Sequence, residues 1–216
     1  MIDLHSHSLL SDGNLIPSEL ARRAESKGYK VLAITDHADM SNIAVIVPQL
    51  VRTCEDLNRS LKTKIIPGIE LSYVPLVLLA EMAKEGRALG ARLILVHGET
   101  IVEPSIPGTN SRALEIDIDI LAHPGLLSLE EAKMAADRGI FLEISSRKGH
   151  CLTNGHVAKM ARKAGAKLTF GTDTHEPANL VTLEEARRIA QGAGLDEEEI
   201  DTLFENARYL VEKVAG

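Results

Sequence analysis

The sequence predicts an α/β protein whose parallel strands close into a barrel. Seven short runs rich in Val, Ile and Leu, at 1–5, 31–35, 64–69, 92–97, 117–122, 140–144 and 167–171, read as strands buried on both faces. Helical periodicity fills most of the intervals, giving about seven βα repeats with short connections. Metal-binding side chains recur where these runs end: His5, His7, Asp36-His37, Glu70, His97, His123, Asp173 and His175. Alternation alone fits a closed barrel or an open sheet. An open sheet gathers ligands at one switch point, whereas here nearly every strand end contributes, so the ends form a ring.

Taken in order, Ile2-Asp3-Leu4 opens the chain and runs into His5-Ser6-His7, with Asp12 five residues on. Pro17-Ser18-Glu19 starts a helix that carries Leu20, Ala21 and Ala24 on one face and ends at Gly28. Further helices are expected over 41–62, 75–90, 128–138, 153–165 and 182–193, and one or two more from Asp196 to about Val214. The stretch 99–112, with two prolines and a glycine, has no regular period. It follows His97 directly and is expected as a loop over the pocket mouth. Nothing resembles a linker or an internal repeat, so residues 1–216 are expected to form one domain.

Composition narrows the function. The chain is 44% hydrophobic and 25% charged, which excludes a disordered chain. A net charge of −7 and only 3% aromatics argue against the basic surfaces and stacking platforms of nucleic-acid binders. Bound cations would reverse the field locally, so nucleotides and other small anions stay compatible. Cys54 and Cys151 form no pair motif, and neither a disulfide framework nor a thiolate zinc site is indicated. No basic segment followed by an apolar one opens the chain, and no apolar run is long enough to cross a bilayer. A cytoplasmic protein is expected. No exposed apolar stripe marks an oligomer contact.

His5-x-His7 sets two imidazoles on one face of an extended segment, and Asp173-x-His175 repeats the spacing. Either pair alone is a weak signal; the ensemble is strong. His150 and His156 fall in a loop and a helix and stay outside it. Imidazole and carboxylate without thiolate suit Zn, Mn, Fe or Ni better than Ca or Mg. Nine candidates, His5, His7, Asp12, His37, Glu70, His97, His123, Asp173 and His175, are too many for one ion. Glu70 is the natural bridge between two ions. Clustered divalent cations activate water and clamp the oxygens of a phosphate ester, which makes phosphoester hydrolysis the expected chemistry.

The set His5-Ser6-His7 with Asp12-Gly13, Thr35-Asp36-His37, Gly68-Ile69-Glu70, Val96-His97-Gly98, Ala122-His123-Pro124 and Gly171-Thr172-Asp173-Thr174-His175 resembles the motifs of the PHP (polymerase and histidinol phosphatase) family of metal-dependent phosphoesterases. The resemblance runs in order from residue 2 to about 176. It implies a distorted TIM-like (β/α)7 barrel holding two or three divalent ions (Zn, Mn or Fe). By carry-over His5, His7, Glu70 and Asp173 hold one ion, Glu70, His97 and His123 a second, and Asp12, His37 and His175 a third.

Asp36, Glu70 and His175 are the candidate catalytic residues: Glu70 joins two ions, His175 serves the third, and Asp36 orients an imidazole from behind. Arg147 and Lys148, after the strand 140–144, and Arg112, at the end of the irregular loop, are candidates for holding phosphate. Cys151 is expected as a small buried residue. The favoured substrate is a small phosphorylated molecule such as histidinol phosphate, a nucleotide or a sugar phosphate. The alternatives are an exonuclease or oligonucleotide phosphoesterase, and a metal-stabilised accessory barrel without activity. An amidohydrolase is disfavoured, because no lysine ends a strand where it could bridge two metals.

Overall fold

A computed structural model describes residues 1–215. Its strands are β1 (Ile2–Asp3), β2 (Val31–Ile34), β3 (His37–Ala38), β4 (Lys64–Leu71), β5 (Leu93–His97), β6 (Ile120–Ala122), β7 (Phe141–Ser145) and β8 (Leu168–Gly171). All pair in parallel, in the order β1-β2-β4-β5-β6-β7-β8, with β3 also on β4. The helices are α1 (Pro17–Ser26), α2 (Ile43–Asn58), α3 (Leu79–Leu89), α4 (Thr109–Ala113), α5 (Leu129–Arg138), α6 (Asn154–Ala164), α7 (Leu183–Gly192) and α8 (Glu197–Ala215). The expected α/β barrel is present. Past its regular ends β1 meets β8: Ser6 bridges Thr174, His7 N–H donates to Thr174 O (2.8 Å), and Asp173 N–H donates to His5 O (2.9 Å).

Alternate residues of each strand build two apolar layers, as the pleat requires. Val31, Ala33, Ile66, Leu93, Leu95, Ile120 and Phe141 fill the interior, and Ala207 and Leu210 of α8 join the same cluster. Ile69, Ile94, Val96, Leu121, Leu142, Ile144 and Phe170 face the helices. Phe141 and Phe170 are the largest side chains fully buried. At roughly 1.5–3 kcal/mol for each large aliphatic or aromatic side chain buried, these layers supply the fold without tryptophan.

Two features depart from the sequence reading. The short strand β3 was not expected; it arises because β4 is long enough to pair with β2 through Pro67 and then with β3, which sets His37 opposite Glu70. The irregular 99–112 stretch ends in one helical turn, α4. Helix ends follow local chemistry: Ser128 and Thr182 make capping boxes with Glu131 and Glu185. Among the described residues no helix is long and apolar enough to cross a membrane.

Candidate metal centre

The joined ends of β1 and β8 bring His5-x-His7 beside Asp173-x-His175. His7 Nε2 stands 3.3 Å from Asp173 Oδ1, and His5 Nε2 stands 3.3 Å from Glu70 Oε2. Glu70 projects from β4, with Oε1 3.2 Å from His123 Nε2 and Oε2 3.0 Å from His37 Nδ1. Asp12, on the loop after β1, reaches His175 Nε2 (3.1 Å) and His37 Nε2 (3.7 Å). Two of these residues, His123 (φ 27°) and Asp173 (φ 50°), adopt the left-handed region that non-glycine residues avoid, a local strain borne where the strands deliver their ligands.

Donor atoms bound to one ion at about 2.0–2.2 Å stand about 3–3.6 Å apart, and the separations above match that spacing except for Asp12 to His37, at 3.7 Å. Four groups of donor atoms lie close enough together to share an ion: His5, His7 and Glu70; His5, His123 and Asp173; Glu70, His97 and His123; and His7, Asp12, His37 and His175. Glu70 belongs to two of them. His5 Nε2, both ring nitrogens of His7, both oxygens of Glu70 and His123 Nδ1 are buried without a hydrogen-bond partner. A buried polar atom left unpaired costs about 1–3 kcal/mol, so six within this one cluster of four residues fit a site for cations.

The charges of the centre bear on one another: against burial, the neighbouring carboxylates raise the pKa of His5, His37 and His97. Burial opposes the charge on Glu70, yet His5 and His37 hold its carboxyl well below the ordinary range. Burial likewise opposes Asp12, and the hydrogen bond from His175 with the charge of His37 lowers it to about 2. His7, buried and near His37, is pushed down to about 3, which keeps its ring neutral as a ligand must be.

The centre lies in a cavity of about 470 Å³ lined in part by Asp12, His37, Tyr73, His97, Glu103, His123, Arg147, Asp173 and His175. Arg147 donates to Asp173 O (3.0 Å) and contacts His175 Nδ1. Lys148 is exposed and lines a smaller side hollow with Asn14 and Glu176. Arg112, expected at the phosphate, has its guanidinium engaged by Leu76 O and Glu115 and does not line the cavity of the centre. Asp36 does not orient an imidazole. Its oxygens accept from Ser8 N, Ser8 Oγ and Ser11 Oγ, because three donors of the 8–11 turn fold over it, and the carboxylate pins the loop that carries Asp12.

Glu143 and Glu103 escaped the sequence reading, and His150 stands nearer the centre than its loop position suggested. Glu143 of β7 stands 2.6 Å from His5 Nδ1. A carboxylate inside Phe-Leu-Glu-Ile-Ser was the available signal, since charges are rarely buried unpaired. His150 is buried rather than on an open loop, stacked on His123 at 4.1 Å, with Nδ1 2.7 Å from Thr100 Oγ1. Glu103, on the irregular loop, meets His97 and His150, and no pattern announced it. Cys151 is half-buried and Cys54 is the buried thiol.

Residues 3–187 match the model of the PHP domain. The chain belongs to the PHP domain family. It is 42% identical over 215 residues to an uncharacterized protein of Methanocaldococcus jannaschii, covering 98% of this chain and 99% of that one. It is 28% identical over 236 residues to a protein of Thermoanaerobacter sp. named "Probable phosphatase", covering 92% of this chain and 88% of the relative. A chain in the structure of archaeal ribonuclease P with mature tRNA superposes with a TM-score of 0.77 over 98% of this chain and 90% of that one. At 15% identity that likeness concerns the fold alone. As a PHP protein the chain is a hydrolase of the metal-dependent phosphoesterase class.

Proposed function

We propose that this PHP protein removes phosphate from a small phosphorylated molecule, of the histidinol phosphate, nucleotide or sugar phosphate kind, with two or three divalent ions (Zn, Mn or Fe) in its centre. The observation that carries the reading is the set of unpaired buried atoms of His5, His7, Glu70 and His123, next to a cavity of about 470 Å³ that His37, His97, His123, Asp173 and His175 line. That volume suits a small ligand. A net charge of −7 does not suit a nucleic-acid chain. Free cysteines fit a reducing, cytoplasmic setting.

The residues that hold the ions are His5, His7, Glu70 and Asp173 for one, Glu70, His97 and His123 for a second, and Asp12, His37 and His175 for a third. Bound there, such ions supply an activated water and offset charge on the phosphoryl oxygens. The remaining tasks fall to the chain. Glu70 keeps two ligand groups at a fixed spacing. Arg147 faces the cavity and holds the phosphoryl group against it, with Lys148 adding positive charge outside. His175 and Asp12 set the third ligand group at the mouth, on the side open to solvent from which a proton would reach the departing oxygen.

The test is hydrolysis of p-nitrophenyl phosphate and its bis ester by chelated protein restored with Mn, Zn or Fe. Monoester turnover that needs metal, and that is lost in Asp173→Ala and His123→Ala, is the expected result. Turnover only of oligonucleotide ends would move the reading to an exonuclease. Bound metal with no turnover of any phosphoester would leave an accessory barrel.

A further inference from the structure

The segment between β5 and α4 is irregular in sequence but strongly organised. Glu99 Oε1 accepts the backbone N–H groups of Gly108 (3.0 Å) and Asn110 (2.9 Å), and Ser105 Oγ donates to Gly98 O (3.0 Å). These bonds tie both ends of the loop together. Gly125 packs under it so closely that an added Cβ would stand 1.9 Å from Glu99 O.

The loop so held aims one carboxylate at the centre. Glu103 Oε2 stands 2.9 Å from His97 Nε2, and Oε1 stands 3.5 Å from His150 Nε2. Tyr73 Oη donates to Oε2 at 3.0 Å. His97 Nδ1 lies 3.1 Å from Gly98 O, so a proton on Nδ1 can be held there while a cation replaces the proton that Nε2 shares with Glu103. Without Glu103, the group formed by Glu70, His97 and His123 holds a single carboxylate. The 2.9 Å spacing is close to the 3.2 Å between Glu70 and His123, so a small outward shift of the carboxylate would let both atoms reach one ion.

We propose that Glu103 is a further metal ligand, a loop-borne carboxylate that completes the coordination of the ion held by Glu70, His97 and His123. This rests on the metal centre of the preceding section. Its consequence is a link between cation binding and the 98–110 loop: an ion at this position fastens the loop over the cavity, and the loop in turn secures the ion. His150 lies behind Glu103, within 3.6 Å of Asp173 Oδ2, and limits the rotamers that the carboxylate can adopt.

The experiment is calorimetric titration of chelated protein with Mn2+ and with Zn2+, together with metal counting after dialysis, on wild type, Glu103→Gln, Glu103→Asp and Tyr73→Phe. Limited proteolysis of the loop, with and without metal, gives a second readout. Glu103→Gln keeps the shape of the side chain while losing its charge and one acceptor oxygen. It is expected to bind one ion at least about tenfold more weakly, with the others unchanged, a loss of the size met when metal sites lose a supporting carboxylate. Tyr73→Phe should retain full stoichiometry. Metal should protect the loop from cleavage in wild type and not in Glu103→Gln. Equal affinities and equal protection in wild type and Glu103→Gln would overturn this inference alone. Wild-type protein that takes up no cation would overturn the centre itself.

Discussion

Glu143 Oε1 accepts the Nδ1–H of His5 at 2.6 Å, while its Oε2 accepts the backbone N–H of His123 at 2.9 Å. One carboxylate of β7 therefore contacts two histidines of the centre, the ring of His5 and the backbone of His123. With the proton held on Nδ1, His5 Nε2 is left as the donor that faces Glu70, 3.3 Å away. Without a cation, burial disfavours a charged His5, but Glu143, Glu70 and Asp173 outweigh it and raise its pKa well above the ordinary value, so a cation bound at Nε2 would have to displace a proton there. Glu143→Gln should weaken cation binding by about 10- to 100-fold, as loss of such outer partners does. Metal titration checks it, and wild-type affinity in the variant would refute the role.

Gly171 makes that arrangement possible. A Cβ there would stand 1.9 Å from Glu143 Oε1 and 2.9 Å from His5 Cβ. Neither side chain can retreat, because both are buried. Gly171→Ala should lose metal as severely as Glu143→Gln and also destabilise the fold, by about 1–3 kcal/mol of overpacking. Thermal denaturation of the metal-free protein isolates the second effect, and an unchanged melting temperature would count against it.

Removing metal should destabilise the protein markedly. A ligand that binds only the folded state at a thousandfold excess over its dissociation constant adds about 4 kcal/mol. For a chain of this size each kcal/mol moves the melting temperature by about 2–4 °C. Chelation should lower the midpoint accordingly and Zn2+ or Mn2+ should restore it. His123→Ala should abolish most of the metal-dependent difference. A midpoint indifferent to chelator would contradict the site.

Thiol chemistry should separate the two cysteines. Burial, with Asp36 and Glu55 adding to it, pushes the Cys54 thiol up from 9.0 to about 12. Cys151 is half-buried. Native protein at pH 8 should take up one equivalent of a thiol reagent, at Cys151, and a second only on unfolding. The sign for stability follows from the unfolded chain losing its proton first. The contribution of Cys54 is complete below about pH 9 and is lost as pH rises toward 12, so Cys54→Ala should flatten that alkaline decline. Mass spectrometry of labelled peptides, and melting curves between those values, check both parts.

The barrel and the nine clustered residues were legible in the sequence for one reason. A parallel strand buried on both faces tolerates little besides Val, Ile, Leu and Ala, so a His, Asp or Glu at its end stands out. The run Leu93–His97 shows this, with four apolar residues and then a ligand. Alternation along the strand even decides the side: Leu93 and Leu95 fill the interior, and His97 continues their row. Glu143 carried the same signal, weakened because it lies within its strand rather than after it.

What the tertiary structure alone decided are the contacts between segments distant in sequence. Asp36 looked like a partner for histidine because His37 is its neighbour, yet the fold brings it Ser8 and Ser11 from another loop. Arg112 looked free, and Glu115 and Leu76 claim it. His150 looked exposed, and Thr100 and His123 enclose it. Glu103 sits in a segment with no period, and its aim depends on Glu99 and Ser105 closing the loop. Strand and helix periodicities are written locally because each residue's face follows from its position along the element. The direction of a loop side chain depends instead on hydrogen bonds to distant groups, and no local pattern records those.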